Sequence, residues 1–373
     1  MNSRSIHLQG LNGLRAIMVL AVVTSHITIN LQKFGLNPNV FGTFNDGEPK
    51  GLLLANLGVS AFFALSGFLI TYLLLLEKKE NGGAKINVKY FYLRRILRIW
   101  PLYYLYLAVC LLIFLTDGTQ YSTSQICFYL FFSANIPFIL SNPLALLTHY
   151  WSLGVEEQFY LFWPWVVRQT NKCLLRGSII ALVCLLVLKL VFRYWLPGQD
   201  ESLPYKIIDV TRFQCMLSGV IGAILYTNQT SLFLKVCNNK ITQAICWGIL
   251  LFYGLNFHIA SVLDSEFVSI VTVFLIIGQI TVNNRLVNLE NKPIDFIGKI
   301  SYGIYIIHPL IIRIFIELYR HNIVTSQLNY FVLYTTIPII TVGVSWVSYQ
   351  FFEKKFLTLK TKYAIIPSVS SKN

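Results

Sequence analysis

Long apolar runs separated by short polar segments set the pattern of this chain. Ten can be read, near 13–32, 52–76, 99–116, 151–168, 178–196, 213–227, 241–256, 267–283, 300–319 and 328–351. A helix needs roughly 20 apolar residues to cross the ~30 Å hydrocarbon core of a bilayer, and most of these runs approach or exceed that length. A transmembrane β-barrel would instead show segments of about ten residues with alternating polarity. The runs here are continuous, so the pattern predicts an all-α, polytopic transmembrane helix bundle of about ten spans. The uncharged stretch 117–150 leaves room for a re-entrant or interfacial helix. No internal repeat or low-complexity tract breaks the pattern. It assigns residues 1–356 to one transmembrane domain and 357–373 to a short basic tail.

Composition agrees, and charge supplies a direction. Only 12% of the 373 residues are charged, against about 25% in soluble domains. The net charge of +14 would suit nucleic acid only if the basic residues formed one surface. With the N-terminus cytoplasmic, 22 of the 30 Lys and Arg fall on the cytoplasmic side, five fall opposite, and three (Lys189, Arg193, Arg313) lie within spans. That is the positive-inside asymmetry, and it predicts that both termini are cytoplasmic. The basic excess is therefore topological; the lipid bilayer is the environment, and nucleic acid is excluded as a partner. No signal-peptidase site follows the first run, which reads as a retained span. The seven Cys are scattered, without zinc or redox spacing, and read as packing residues and free thiols; no metal site is predicted.

Against this apolar background a few polar residues stand out. Arg15 and His26 occur in the first span, eleven residues apart; at about 100° per residue they share a helix face, roughly 16 Å apart along the axis. Arg94, Arg95 and Arg98 gather at the cytoplasmic entry of the third span, and Glu156 opens the fourth span from the outer side. Ser301, Tyr302, Tyr305 and His308 run inward along the ninth. Cations thus cluster at the inner mouth, with histidine and carboxylate deeper and towards the outside. Arginine forks suit a phosphate-rich ligand. A buried histidine suits proton transfer near neutral pH, with a carboxylate to hold its tautomer. The combination reads as acyl transfer from a coenzyme A thioester to a hydroxyl approaching from the other side.

Several motifs, in order, also resemble the acyltransferase-three family of integral-membrane O-acyltransferases, over nearly the whole chain. They are Arg15 with ten residues before His26, the run Gly58-Val59-Ser60-Ala61-Phe62-Phe63-Ala64-Leu65-Ser66-Gly67-Phe68-Leu69, and Arg94-Arg95-x-x-Arg98 ending in Pro101. Further along come Trp151-Ser152-Leu153-Gly154-Val155-Glu156, Ile300-Ser301-Tyr302-Gly303-Ile304-Tyr305-Ile306-Ile307-His308, and Phe352-Glu353-Lys354-Lys355-Phe356. The resemblance implies an acetyl-CoA or other acyl-CoA donor as substrate, no bound cofactor, a carbohydrate or glycolipid hydroxyl acceptor, and a multi-pass protein of the bacterial inner membrane. It implies that Arg15, His26, Arg95, Arg98 and Glu156 are functional. Many relatives carry an added extracytoplasmic esterase-like domain. This sequence stops about twenty residues after its last span, which implies direct transfer or a separate extracytoplasmic partner.

Each candidate has a structural alternative. His26 is assigned as general base, oriented by Glu156; the alternative is a histidine satisfying a neighbouring helix, and an acyl-histidine route is chemically open too. Arg15 either binds donor or snorkels at the interface. Arg95 and Arg98 share a face and are assigned to the CoA phosphates, whereas Arg94 diverges and reads as lipid-facing or structural. Glu157 reads as interfacial, and Trp100, Trp151, Trp163 and Trp195 as interface-belt residues. Ser301, Tyr302, Tyr305 and His308 either line the donor channel or bond between helices. No partner is assigned to Lys189, Arg193 or Arg313, and Glu353 is expected to pair with a basic loop. A rival function is a transporter or flippase for an anionic glycolipid, entering at the same arginines; the lack of an internal repeat counts against it.

Overall fold

All ten apolar runs lie on helices in the computed structural model of the protein. These are α1 (Leu11–Asn30), α2 (Leu53–Glu80), α3 (Val88–Asp117), α4 (Tyr150–Gln169), α5 (Leu174–Trp195), α6 (Phe213–Thr227), α7 (Lys240–Gly254), α8 (Asp264–Ile280), α9 (Ser301–Tyr319) and α10 (Gln327–Ser348). The structure describes residues 8–43, 47, 49–51, 53–80, 86–169, 173–198, 201–255, 257–259, 261–281, 285–319, 327–361 and 363. Of the expected basic tail, residues 362 and 364–373 lie outside that set.

Among the described residues eight helical stretches are long and apolar enough to cross a membrane, and α4 and α7 are the two of the ten that are not. The reasons differ. α7 has 15 residues, about 22 Å at 1.5 Å per residue, short of the ~30 Å core. α4 has 20 residues but carries Glu156, Glu157 and Arg168. The chain is a multi-pass, all-helical membrane protein. The 117–150 stretch holds two short helices, Thr123–Leu130 and Asn135–Ile139. The first starts at a reciprocal Ser122–Gln125 capping box, which satisfies two of the amide donors that a helix start leaves unpaired.

By internal contacts the chain forms two compact units. One comprises Phe63–Lys235 with Leu357–Val369, the other His7–Phe62 with Val236–Phe356, so α2 contributes to both. In the first unit, α2 and α6 meet backbone to backbone. A methyl group on Gly219 would lie 1.9 Å from the Ala64 carbonyl oxygen, and one on Gly67 would lie 2.1 Å from the Met216 oxygen. Only glycine permits that approach, the means by which helices associate where lipid removes the hydrophobic drive. The same unit holds the intramembrane cations that the sequence leaves without partners. Lys189, fully buried, meets Asp209 at 3.0 Å; Arg193 lies over the Tyr205 ring at 5.9 Å.

In the second unit α1 is the hub, packed on α8, α9, α10 and the short helix Lys292–Lys299. Val19, Val22, Val23 and Ile27 of α1 are almost wholly buried. Arg313, the third unassigned cation, pairs with Glu317 at 3.6 Å one turn along α9. Two belt expectations are overturned: Trp151 and Trp163 are buried, while Trp195 is 84% exposed. Trp163 donates to Thr71 Oγ1 at 2.9 Å, and Trp151 stacks on Phe138 with centroids 5.2 Å apart. An indole is equally suited to a core position once its N–H has a partner, which composition alone does not reveal. All seven cysteines are free thiols, four of them buried.

The α2–α6 contact gives a direct check. Gly219→Leu should lower the thermal midpoint of the purified protein in detergent, by about 1–3 kcal/mol of overpacking or more. Gly248→Leu, where an added Cβ meets nothing within 4 Å, should leave the midpoint unchanged. Equal midpoints for both variants would remove the packing argument.

Candidate active site

The predicted site residues divide between the two units. Arg15, His26, Ser301, Tyr302, Tyr305 and His308 belong to the second, and Arg95, Arg98 and Glu156 to the first.

In the second unit α1 and α9 bring two histidines together: His26 Nδ1 lies 2.7 Å from His308 Nε2, with ring centroids 4.9 Å apart. His308 is fully buried, and its Nδ1 lies 3.1 Å from the Ile304 carbonyl oxygen. A carbonyl only accepts, so His308 carries its proton on Nδ1 and, when neutral, presents a lone pair on Nε2. His26 must then donate from Nδ1, which leaves its own Nε2 as the unprotonated nitrogen. The half-buried His26 ring is thus fixed in the tautomer that a general base needs. Pro309 lies within α9 directly after His308 and removes the amide that would pair the Tyr305 carbonyl. Tyr305 sits beside this pair, 5.9 Å from the His308 ring and 6.4 Å from Phe62 between centroids.

This geometry revises the sequence expectation. His26 Nδ1 is held by His308, the role expected of Glu156; a pairing across 282 positions has no signature in local spacing. Ser301 is buried and Tyr302 half-buried on the same helix. Arg15 donates through Nη1 to Asn12 Oδ1 at 2.7 Å, and Asn12 donates to Asp295 Oδ1 at 2.9 Å. α1 is held close enough for this relay because Gly298 has no side chain: a methyl there would lie 1.8 Å from the Asn12 carbonyl oxygen. Glu353 is buried, accepts from Ser348 at 3.2 Å and lies at Gly303. It closes a π-helical segment, Tyr349–Glu353, an element that sequence reading missed and that recurs at functional sites.

In the first unit α3 and α4 build a second polar cluster. Glu156 Oε2 accepts from the Tyr160 hydroxyl at 3.2 Å, and that hydroxyl also bonds Ser66. The Arg95 guanidinium lies over the Tyr160 ring, 5.0 Å from its centroid, and over Phe91 at 5.6 Å. Arg95 interacts electrostatically with Glu156 and Glu157, and Arg98 with Glu156. Glu157, expected at the interface, instead has a buried Oε1 and accepts from Trp100 Nε1 at 3.3 Å. Two adjacent carboxylates are accommodated because one takes the tyrosine and the other the indole. Arg94 is structural, as its divergent face suggests: it pairs with Glu77 at 3.3 Å, and Glu77 accepts the Asn87 amide at 2.8 Å.

The two clusters differ chemically. One presents a tautomer-locked imidazole; the other presents guanidinium groups balanced by carboxylates, suited to an anionic ligand. Breaking the second should be costly. Arg95→Met should destabilise the protein by about 1–2 kcal/mol, through the lost contact over the Tyr160 ring and the weakened electrostatic balance of Glu156. Arg95→Met combined with Glu156→Gln should recover part of that loss, as coupled neighbours do in a double-mutant cycle. Strictly additive midpoints would show that the two do not interact.

Comparison with known proteins bears on both clusters. The family model described as an acyltransferase domain matches residues 8–350. A Staphylococcus aureus protein named "Putative O-acetyltransferase" is 29% identical over 374 residues, covering 94% of this chain and 57% of that protein. The peptidoglycan O-acetyltransferase OatA of Listeria monocytogenes is 28% identical over 344 residues, covering 83% of this chain and 50% of its own length. The chain thus spans about half the length of these relatives. No solved structure matches it.

Proposed function

This chain belongs to the acyltransferase domain family, and from that premise we propose that it moves an acyl group, acetyl in the simplest case, from a cytoplasmic acyl-CoA to a hydroxyl of an envelope carbohydrate. The relatives named as O-acetyltransferases support the reaction class, and the Listeria relative's name supplies one acceptor, peptidoglycan. The observation that carries the reading is the relay from the Ile304 carbonyl through His308 to His26. In the proposed step the acceptor hydroxyl gives its proton to His26 Nε2 as its oxygen attacks the thioester carbonyl. The tetrahedral intermediate then expels the coenzyme A thiolate as the C–S bond breaks, and the imidazolium returns the proton to sulfur. His308 acts as a positioning residue, holding Nδ1 and stabilising the imidazolium.

Arg95 and Arg98 are assigned to the donor phosphates, because guanidinium groups stay charged and bind phosphate oxygens bidentately. Glu156 and Tyr160 position Arg95. Arg15, tied to Asn12, is a second candidate for the donor, and Ser301, Tyr302 and Tyr305 line the same helix as His308. Placing the cation-rich helix ends in the cytoplasm follows the loop charges. The glycolipid transporter is not favoured.

The test is acetyl-CoA-dependent acetylation of surface carbohydrate in cells that carry each variant at equal membrane abundance. His26→Ala should reduce the rate at least about a hundredfold, the scale of a lost general base. His308→Ala should lower it less, and His308→Gln, whose Oε1 can accept from Nδ1–H, should recover part of the loss. Full activity in a normally inserted His26→Ala protein would overturn the assignment.

A further inference from the structure

The first unit holds a cavity that the proposed reaction does not use. About 700 Å³ in volume, it lies between the start of α3 and the end of α4, and its lining includes Ile86, Lys89, Tyr92, Leu93, Trp165 and Arg168. That volume lies in the usual range for ligand sites. At about 100° per residue, Lys89, Tyr92 and Leu93 share one face of α3, whereas Arg95 points about 120° away from Lys89 and Arg98 about 180° away. The cavity is therefore a different face of the helix from the Arg95–Tyr160 cluster.

Its walls are built rather than incidental. Pro164 removes an amide donor from α4. The Tyr92 hydroxyl reaches across from α3 to bond the Leu161 carbonyl, and Trp165 Nε1 donates to that hydroxyl at 3.0 Å. The Arg168 guanidinium lies over the Trp165 ring at 5.4 Å. Among the described residues, neither Lys89 nor Arg168 is ion-paired. Lys89 is exposed and Trp165 is 44% exposed. Two cations without carboxylates, an indole and a phenol at a helix end, and an aliphatic floor match one chemistry: a phosphodiester on an apolar tail. Aromatic rings occupy the headgroup level of membranes, and basic pockets between membrane helices bind anionic headgroups.

We propose that this cavity holds an anionic phospholipid of the surrounding bilayer. Lys89 and Arg168 contact the phosphate, Trp165 and Tyr92 flank the glycerol, and the acyl chains run along Ile86 and Leu93. A bound lipid bridges α3 and α4 one turn from Arg95 and so braces the arginine cluster without taking part in the chemistry.

The experiment is native mass spectrometry of the full chain in a non-ionic detergent. Dioleoylphosphatidylglycerol is the probe, and dioleoylphosphatidylcholine the neutral control. Wild type should retain one phosphatidylglycerol in preference to phosphatidylcholine. Lys89→Gln/Arg168→Gln should weaken that binding about thirtyfold and leave phosphatidylcholine unchanged. Lys89→Gln alone, at an exposed position that tolerates exchange, should weaken it about fivefold. Millimolar inorganic phosphate or coenzyme A should not displace the lipid. Equal retention of the two lipids by wild type, equal phosphatidylglycerol binding by wild type and Lys89→Gln, or displacement by either soluble phosphate would each overturn the proposal.

Discussion

A charge inside a membrane helix must be met by a partner, and much of this structure follows from that constraint. The cost of an unmatched charge at the bilayer centre is at least about 2.5–3.5 kcal/mol, a large share of a protein's net stability. Lys189 meets this with Asp209, and Arg94 with Glu77, which also takes the Asn87 amide at the start of α3. In the second unit the buried Asp264 accepts from Tyr253 at 2.7 Å, His258 at 2.6 Å and the Ile259 amide at 3.2 Å. Each arrangement fixes two or more elements at once, so the charge that is costly to bury also specifies which helices meet.

Prolines turn the same constraint towards chemistry. Each proline within a helix removes an amide and frees the carbonyl four residues earlier. For Pro164 that carbonyl belongs to Tyr160, and for Pro309 to Tyr305. Both tyrosines lie in the candidate clusters, Tyr160 beneath Arg95 and Tyr305 beside His308. In the same turns side chains also bond backbone carbonyls: Tyr92 bonds that of Leu161, and His308 that of Ile304. Polar groups in these turns have acceptors at hand that a regular helix would not offer.

The helices were legible in the sequence because lipid imposes long apolar runs, and all ten runs lie on helices. The angle of Arg94 on α3 set it apart from Arg95 and Arg98 but left it lipid-facing or structural, and its pairing with Glu77 makes it structural. What could not be read was pairing across the chain. Nothing near His26 announces His308, since their contact depends on the packing of α1 against α9. The same holds for Lys189 and Asp209. Trp151 and Trp163 misled because tryptophan suits both an interface and a core, and only the Thr71 hydroxyl decides for Trp163. Glu157 misled because adjacent helical positions diverge by about 100°, yet Trp100 supplies a second partner on its side.

The use of histidine rather than a carboxylate behind His26 has a physical consequence. A carboxylate at that depth would itself need compensation, whereas His308 is buried completely with the Ile304 carbonyl to fix its tautomer. It imposes direction on the pair without adding charge, because its Nε2 can only accept while Nδ1 is committed to Ile304. In the proposed reaction, when His26 takes a proton at Nε2, the bond from its Nδ1 to His308 becomes charge-assisted and stronger. Under the proposed reaction the imidazolium is stabilised only while it exists.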